Sequence, residues 1–227
     1  MNKQVKGSIA LLTCTVIWGF AFIAQSVGMD LIGPFTFQMV RCLLAVVFLV
    51  PFSFVLDMGK CSMRASFEKW KNPRLWKASM LCGIALFAAS SLQQYGLLYT
   101  DAGKAGFLTA MYIVLTPIVG LFRGNRVPKA TVFSVGIAVI GLYLLSCAGV
   151  SRINKGDLLI MGCALAFAVQ INVVDHFCEG LDGFRMNCIQ ALTVAVISAP
   201  CVVFTETVDM GNLLACWGPL CFAGVLS

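Results

Sequence analysis

Charge is scarce in this 227-residue chain. Asp, Glu, Lys and Arg make up 11% of it, against 59% hydrophobic residues and a mean hydropathy of +0.91. So few charged groups cannot cover a water-soluble globule of this size, which makes lipid the solvent for most of the surface. Acidic residues are the rarer sign, 10 against 16 basic ones, for a net charge of +6. All the basic residues but Arg41 lie in connectors between apolar runs, where they orient a membrane protein and meet anionic headgroups, so nucleic acid is not an expected partner. Histidine is nearly missing: the single His176 rules out a histidine-rich metal site and is expected at a helix end. The 11 cysteines form no Cys-x-x-Cys pair, and Cys14, Cys42, Cys82, Cys163 and Cys201 fall inside apolar runs. They read as small packing residues rather than as a disulfide framework. Absent too are His-Glu-x-x-His, Gly-x-Ser-x-Gly and a nucleotide-phosphate loop. No catalytic residue, metal or cofactor is therefore expected, the chain does not read as an enzyme, and any transport would run down a gradient or be coupled to an ion.

What the chain does have is long apolar runs. Seven are long enough to cross a ~30 Å hydrocarbon layer, which takes about 20 helical residues; they lie near 8–28, 33–56, 78–99, 105–122, 130–150, 157–177 and 184–204. An eighth begins at Leu213 and reaches only Ser227. The first run follows Lys3 and Lys6 as a signal peptide would, but it is long for one and no Ala-x-Ala site follows it, so it is expected to remain as a first spanning helix. The expected class is an all-α membrane protein, a polytopic helix bundle with seven complete transmembrane helices plus a partial eighth.

Sliding the sequence along itself by 149 positions lays Lys6-Gly7 on Lys155-Gly156, Cys14 on Cys163, Phe35 on Phe184, Leu43 on Leu192, Val47 on Val196 and Pro51 on Pro200. With a cytoplasmic N-terminus, the inner connectors hold Lys3, Lys6, Lys60, Arg64, Lys69, Lys71, Arg74, Lys77, Arg123, Arg126, Lys129 and Arg185. The outer ones hold Lys104, Arg152 and Lys155. Twelve against three is a clear positive-inside bias. An odd number of helices between the two copies then inverts one relative to the other, the plan of many secondary transporters. Residues 1–150 are expected to form a first five-helix repeat and 151–227 an incomplete second, inverted one. Trp76 to Gly83 recurs as Trp217 to Gly224 at an offset of 141, and nothing repeats Ala88 to Val150, so an intact protein of about ten helices and roughly 290–300 residues is expected by extension.

Particular residues add a resemblance. Ile17-Trp18-Gly19-Phe20 stands in the first span, and Pro34 is followed seven residues later by Arg41 in the second. Gly96-Leu97 and Thr100-Asp101-Ala102-Gly103-Lys104-Ala105-Gly106-Phe107-Leu108 cross the third turn, and Thr116-Pro117 lies in the fourth span. In this order, and with the repeat, they resemble the EamA-like branch of the drug/metabolite transporter superfamily. The resemblance implies ten helices in two five-helix halves, both termini cytoplasmic, a central substrate cavity, and export or uptake of small metabolites without ATP. The second half departs from the pattern: Gln190 stands where Arg41 would repeat and Phe167 replaces Trp18.

Arg41 is the sharpest candidate for substrate contact, because a cation within hydrocarbon costs about 2.5–3.5 kcal/mol on insertion scales and needs a partner or a wet cavity. The alternative is a structural arginine reaching the outer surface or capping carbonyls. Neutral polar side chains recur in the spans: Gln25, Gln38, Gln93, Gln94, Thr109, Tyr112, Thr116, Gln170, Asn172, Asn187 and Gln190. Thr109, Tyr112 and Thr116 share a face by their spacing. Each can equally bond helix to helix, at about 0.6 kcal/mol on average; as a set they outline a polar cavity, with Trp18, Phe22 and Tyr112 as an aromatic wall. Asp101 and Lys104 make either an entry charge pair or an exposed turn with Asp101 as helix cap. Asp175 and His176 form a proton relay or lie at headgroup depth. Pro117 is expected to kink the fourth span.

The leading functional expectation is a secondary transporter of small metabolites or drugs, working by alternating access between inverted halves. A non-transporting membrane binding or sensor protein, and an inactive fragment of a transporter, are the alternatives. Partners are a small-molecule substrate and the lipid bilayer; a coupling proton or ion and a homodimer stay open. The location expected is the cell (inner) membrane, multi-pass, with the N-terminus cytoplasmic.

Overall fold

Within a bilayer core, backbone amides find no water, so spanning segments must close their hydrogen bonds internally. The computed structural model describes residues 3–122, 124, 129–147, 154–177 and 179–226, and every element in them is helical. Arg123, Arg126 and Arg152 of the charge count, and residues 148–150 of the expected fifth span, lie outside the described residues. In chain order the helices are α1 Lys3–Met29, α2 Pro34–Asp57, α3 Met63–Trp70, α4 Pro73–Leu97, α5 Ala102–Ala110, α6 Tyr112–Leu121, α7 Lys129–Cys147, α8 Lys155–Phe177, α9 Gly183–Thr205, α10 Met210–Ala215 and α11 Trp217–Cys221. A π-helical segment, Phe222–Leu226, ends the series.

Local chemistry sets the boundaries. Pro34 and Pro73 open α2 and α4, where their missing N–H groups cost nothing. The side chains of Ser62, Asn72, Asp182 and Asp209 accept amide hydrogens at the starts of α3, α4, α9 and α10. Gly59 and Gly180 take the positive φ that the turns after α2 and α8 require.

Among the described residues, six helical stretches are long and apolar enough to cross a membrane: Gly7–Met29, Pro34–Asp57, Pro73–Leu97, Ala102–Leu121, Lys155–Phe177 and Gly183–Thr205. Seven complete spans were expected. The seventh expected span falls on α7, a mostly apolar helix of 19 residues that borders residues outside the described ones, so six is a count of the described residues. The expected eighth run is broken into α10, α11 and the π segment, with only Trp217–Leu226 continuously apolar and helical. A short helix that was not anticipated, α3, fills the basic connector; its eight residues are too few and too polar to have stood out among the long apolar runs.

The bundle is built on α4 against α8, α2 against α9, and α4 against α9, with α6 and α5 laid on α8 and α1 on α11. Helices α2 and α9 run antiparallel. Thr36 meets Glu206 at one end, Gln38 meets Ser198, Phe52 meets Phe184, and Asp57 meets Arg185 at the other end. Glycines permit close approach elsewhere. A Cβ on Gly156 would lie 2.6 Å from the Gly96 carbonyl oxygen, so α4 and α8 meet backbone to backbone.

Two other glycines make matching contacts. A Cβ on Gly83 would stand 2.7 Å from Thr193 Cβ and 3.2 Å from the Gln190 carbonyl oxygen; on Gly224 it would stand 2.9 Å from Leu44 Cβ and 2.7 Å from the Arg41 carbonyl oxygen. Gly224 lies 141 residues beyond Gly83, and Gln190 and Thr193 lie 149 beyond Arg41 and Leu44. The two offsets are those of the internal repeat. The end contacts of α2 and α9 obey the second: Glu206 lies 149 beyond Asp57, and Arg185 lies 149 beyond Thr36. The cysteines pack as small apolar groups, with Cys42, Cys82 and Cys163 buried and Cys14 exposed.

Overpacking a helix seam typically costs about 1–3 kcal/mol. Gly156→Leu is therefore expected to lower the unfolding free energy in mixed micelles by about that amount. Gly103→Ala, where an added Cβ meets nothing within 4 Å, should leave it unchanged. Equal unfolding midpoints for the two variants would mean that the α4–α8 seam is not held this closely.

Candidate functional site

The neutral polar residues of the spans divide into hydrogen-bonded sets that cross the helix seams. From α4, Gln94 Nε2 donates to Gln25 Oε1 on α1 at 2.8 Å, and Gln93 Nε2 points to Thr109 Oγ1 on α5 at 3.4 Å. Gln25 also donates to the Ala21 carbonyl, one turn back on α1. Gln38 on α2 reaches Ser91 on α4 and Ser198 on α9, each at 3.3 Å. From α8, Gln170 Nε2 donates to Gln190 Oε1 on α9 at 3.2 Å, and Asn172 Nδ2 donates to the Thr116 carbonyl at 3.0 Å. Gln25, Gln38, Gln93, Gln94, Thr109, Asn172 and Gln190 are all buried. Gln25, Gln38, Gln93, Gln94, Thr109, Thr116, Gln170, Asn172 and Gln190 thus join neighbouring helices.

Four candidates behave differently. Trp18 is half exposed and takes no part in these sets. Phe22 is partly buried, packs against Met29, Leu97, Ala105 and Ile160, and sits over Gly106. Tyr112 faces Phe167 across α6 and α8, ring centroids 6.3 Å apart. Arg41 is partly buried, forms no ion pair among the described residues, and keeps a buried Nε without a partner. The carbonyl oxygens of Gln38 and Gln94 are likewise buried and unpaired.

The fourth span is interrupted at Met111 rather than at Pro117. Tight bonds from Met111 N to the Leu108 carbonyl and from Val114 N to the Met111 carbonyl mark the break between α5 and α6. Thr109 therefore belongs to a different helix from Tyr112 and Thr116. Thr116 Oγ1 bonds back to the Tyr112 carbonyl at 2.6 Å while Asn172 takes the Thr116 carbonyl, so the polar groups around Pro117 are used up locally.

The charged groups pair across the bundle in ways that spacing did not suggest. Lys104 bonds not to Asp101 but to Asp157 at the start of α8, at 2.6 Å. Asp157 also accepts from Thr100 Oγ1 at 2.7 Å and from the Asn154 amide at 2.9 Å. Asp101 occupies the cap position of α5 without a side-chain bond to it. The Asn154-x-x-Asp157 pattern is a reciprocal helix cap, with Asn154 Oδ1 accepting from the Asp157 amide, and that spacing was the available signal.

At the other end, Arg185 is 1% exposed. It donates through Nη2 to Asp57 at 2.6 Å and to Ser66 Oγ at 2.9 Å, through Nη1 to Asp182, and lies 5.5 Å from the centre of the Trp70 ring. Lys69 Nζ bonds to Asp57 at 2.9 Å, and that bond raises the Lys69 pKa above its ordinary value. Its contribution is complete below the unfolded lysine pKa of about 10.4 and is lost only as pH rises through the higher folded value. His176 lies in the last turn of α8, as expected. Among the described residues no cluster of His, Cys, Asp and Glu could hold a metal ion.

A bundle with six helices of bilayer length, seams closed by buried amides and charges gathered at its ends defines a polytopic membrane protein. The chain belongs to the EamA-like transporter family, whose pattern matches residues 5–147. It is 32% identical over 206 residues to an uncharacterized transporter of Archaeoglobus fulgidus, covering 90% of this chain and 60% of that protein. To the uncharacterized transporter YoaV of Bacillus subtilis it is 25% identical over 233 residues, covering 99% of this chain and 76% of that one. A solved crystal structure shares the fold with a TM-score of 0.59 at 19% identity, over 93% of this chain and 76% of its own.

Removing one partner of a buried amide pair leaves the other unsatisfied, whereas removing both does not. Gln25→Leu and Gln94→Leu should each destabilise the bundle, and the double variant should lose less than their sum. A coupling of about 0.6–1.7 kcal/mol is expected from unfolding in mixed micelles. Additive losses would separate the two side chains.

Proposed function

We propose that this protein is a secondary membrane transporter of small polar metabolites or drugs, in which two halves of opposite orientation exchange roles to open a central site to either side. The observation that carries the proposal is the matched pair of glycine contacts, Gly83 on Gln190 and Thr193, Gly224 on Leu44 and Arg41, at the two repeat offsets. The antiparallel course of α2 and α9 supports it further, since two copies of one segment packed head to tail are what an inverted duplication produces. Residues 1–150 form the first half in this reading and 151–227 the second. The N-terminus is cytoplasmic, because the end of the bundle carrying Lys60, Arg64, Lys69, Lys71, Arg74 and Lys77 is the basic one.

The substrate site lies among Gln25, Gln38, Gln93, Gln94, Thr109 and Arg41. Neutral amides there exchange bonds with one another for bonds with a solute, and the unpaired Gln38 and Gln94 oxygens and Arg41 Nε give that solute donors and acceptors to meet. A solute gradient or a coupled proton or ion supplies the drive.

Proteoliposomes holding the chain are expected to take up at least one class among amino acids, nucleosides, sugars and amphiphilic drugs faster than protein-free vesicles. Saturable binding without flux in either direction would favour a sensor and end the carrier reading. Arg41→Gln places at this position the residue found at its repeat counterpart, Gln190, so the fold should tolerate it. Uptake is expected to fall about tenfold, the loss of ~1.4 kcal/mol of binding; unchanged uptake would make Arg41 a structural residue.

A further inference from the structure

At the basic end of the bundle, a cleft of about 420 Å³ opens where α4 and α8 splay apart. Arg74, Lys77, Ala78 and Leu81 line it from α4, and His176 and Phe177 from α8. Pro73 also lines it, and these other four α4 residues are spaced at i, i+3, i+4 and i+7 and so share one helix face. Along that face the chemistry changes from cationic, at Arg74 and Lys77, to apolar, at Leu81, while Phe177, the last residue of α8, lines the other side. Both apolar side chains stand about two-fifths exposed, at 43% and 41%.

Among the described residues no carboxylate lines the cleft. Among the described residues Lys77 forms no ion pair, and Arg74 reaches only the Glu179 carbonyl, at 3.5 Å. Two cations therefore stand uncompensated. Their depth is marked by Trp70 and Trp76, the second donating its indole N–H to the first's carbonyl at 2.6 Å. Tryptophan collects at the bilayer–water boundary. Helix α3, with Met63 and Phe67 exposed beside Lys69 and Lys71, has the character of a helix lying in that boundary.

We infer that this cleft seats an anionic phospholipid, its phosphodiester held by Arg74 and Lys77 and an acyl chain laid along Leu81 and Phe177. A soluble phosphate would use only the cationic half and leave the apolar half bare. A zwitterionic lipid carries its own ammonium, which the two cations repel. The inference stands apart from the transport proposal, since it needs only the cleft and the bilayer.

The test uses the full chain in mild detergent. Unfolding temperature and lipid retained in native mass spectra are measured with dioleoyl-phosphatidylglycerol, with dioleoyl-phosphatidylcholine and with water-soluble glycerol phosphate. Phosphatidylglycerol is expected to raise the unfolding temperature by several degrees, and the other two to leave it unchanged. Arg74→Gln with Lys77→Gln should abolish that rise and cut retained phosphatidylglycerol at least tenfold. Lys60→Gln with Arg64→Gln removes the same charge from exposed positions of the neighbouring connector and should keep both. Leu81→Ser, which leaves charge untouched and is read on the folded fraction, should lower retention as well. Equal effects of the two lipids, an equal effect of glycerol phosphate, equal losses in the two charge variants, or full retention in Leu81→Ser would each overturn the inference.

Discussion

A carboxylate at the C-terminal end of one spanning helix closes the N-terminal end of its antiparallel neighbour, and this happens at both ends of the α2–α9 pair. Glu206, just past α9, accepts from the Phe35 and Thr36 amides and the Thr36 hydroxyl at 2.6–2.8 Å. Those amides are among the four that α2 cannot satisfy internally, and the positive end of the helix dipole favours a negative group there. Asp57, the last residue of α2, holds Arg185 in the first turn of α9. A buried arginine needs partners for its charge, and Asp57, Asp182 and Ser66 bond both terminal nitrogens of Arg185, while its buried Nε has no partner. Since α4 packs on both α2 and α9, and α8 packs on α4, the clamped pair sets where the remaining spans can lie.

Between the clamps the interior is not apolar. Gln25, Gln38, Gln93, Gln94, Gln170, Gln190 and Asn172 cross the seams through neutral amides, and the partly buried Arg41 is the cation among them. Interhelical amide bonds in membranes are individually weak, so no single one of these seams holds the bundle together. The charged pairs at the ends, Lys104 with Asp157 and Arg185 with Asp57, are the tighter contacts. This division suits a family of transporters: firm at the rims, yielding in the middle.

Much of this was legible in the chain. Bilayer-length helices follow from apolar runs of about 20 residues, and the boundaries near Pro34, Pro73 and Gly183 follow from local capping and turn chemistry. The break of the fourth span at Met111 was not legible. Pro117 drew attention as the obvious helix breaker, but the tight turns form two turns earlier. Nor was the role of Arg185, counted as one connector charge among many, because a partner 128 residues away leaves no trace in local spacing.

The sequence by itself determined that lipid is the solvent, where the spans run, and that one stretch recurs 149 residues later, since each is a property of composition, run length or repetition along the chain. Tertiary structure alone decided which polar groups meet. It gave Lys104 to Asp157 rather than to Asp101, laid Phe22 against a core cluster and left Trp18 outside, and paired Asp57 and Glu206 with the opposite helix. A hydrogen bond selects its partner within about 3 Å, and distances of that order between residues far apart in the chain are set by how the helices pack, not by how the residues are spaced.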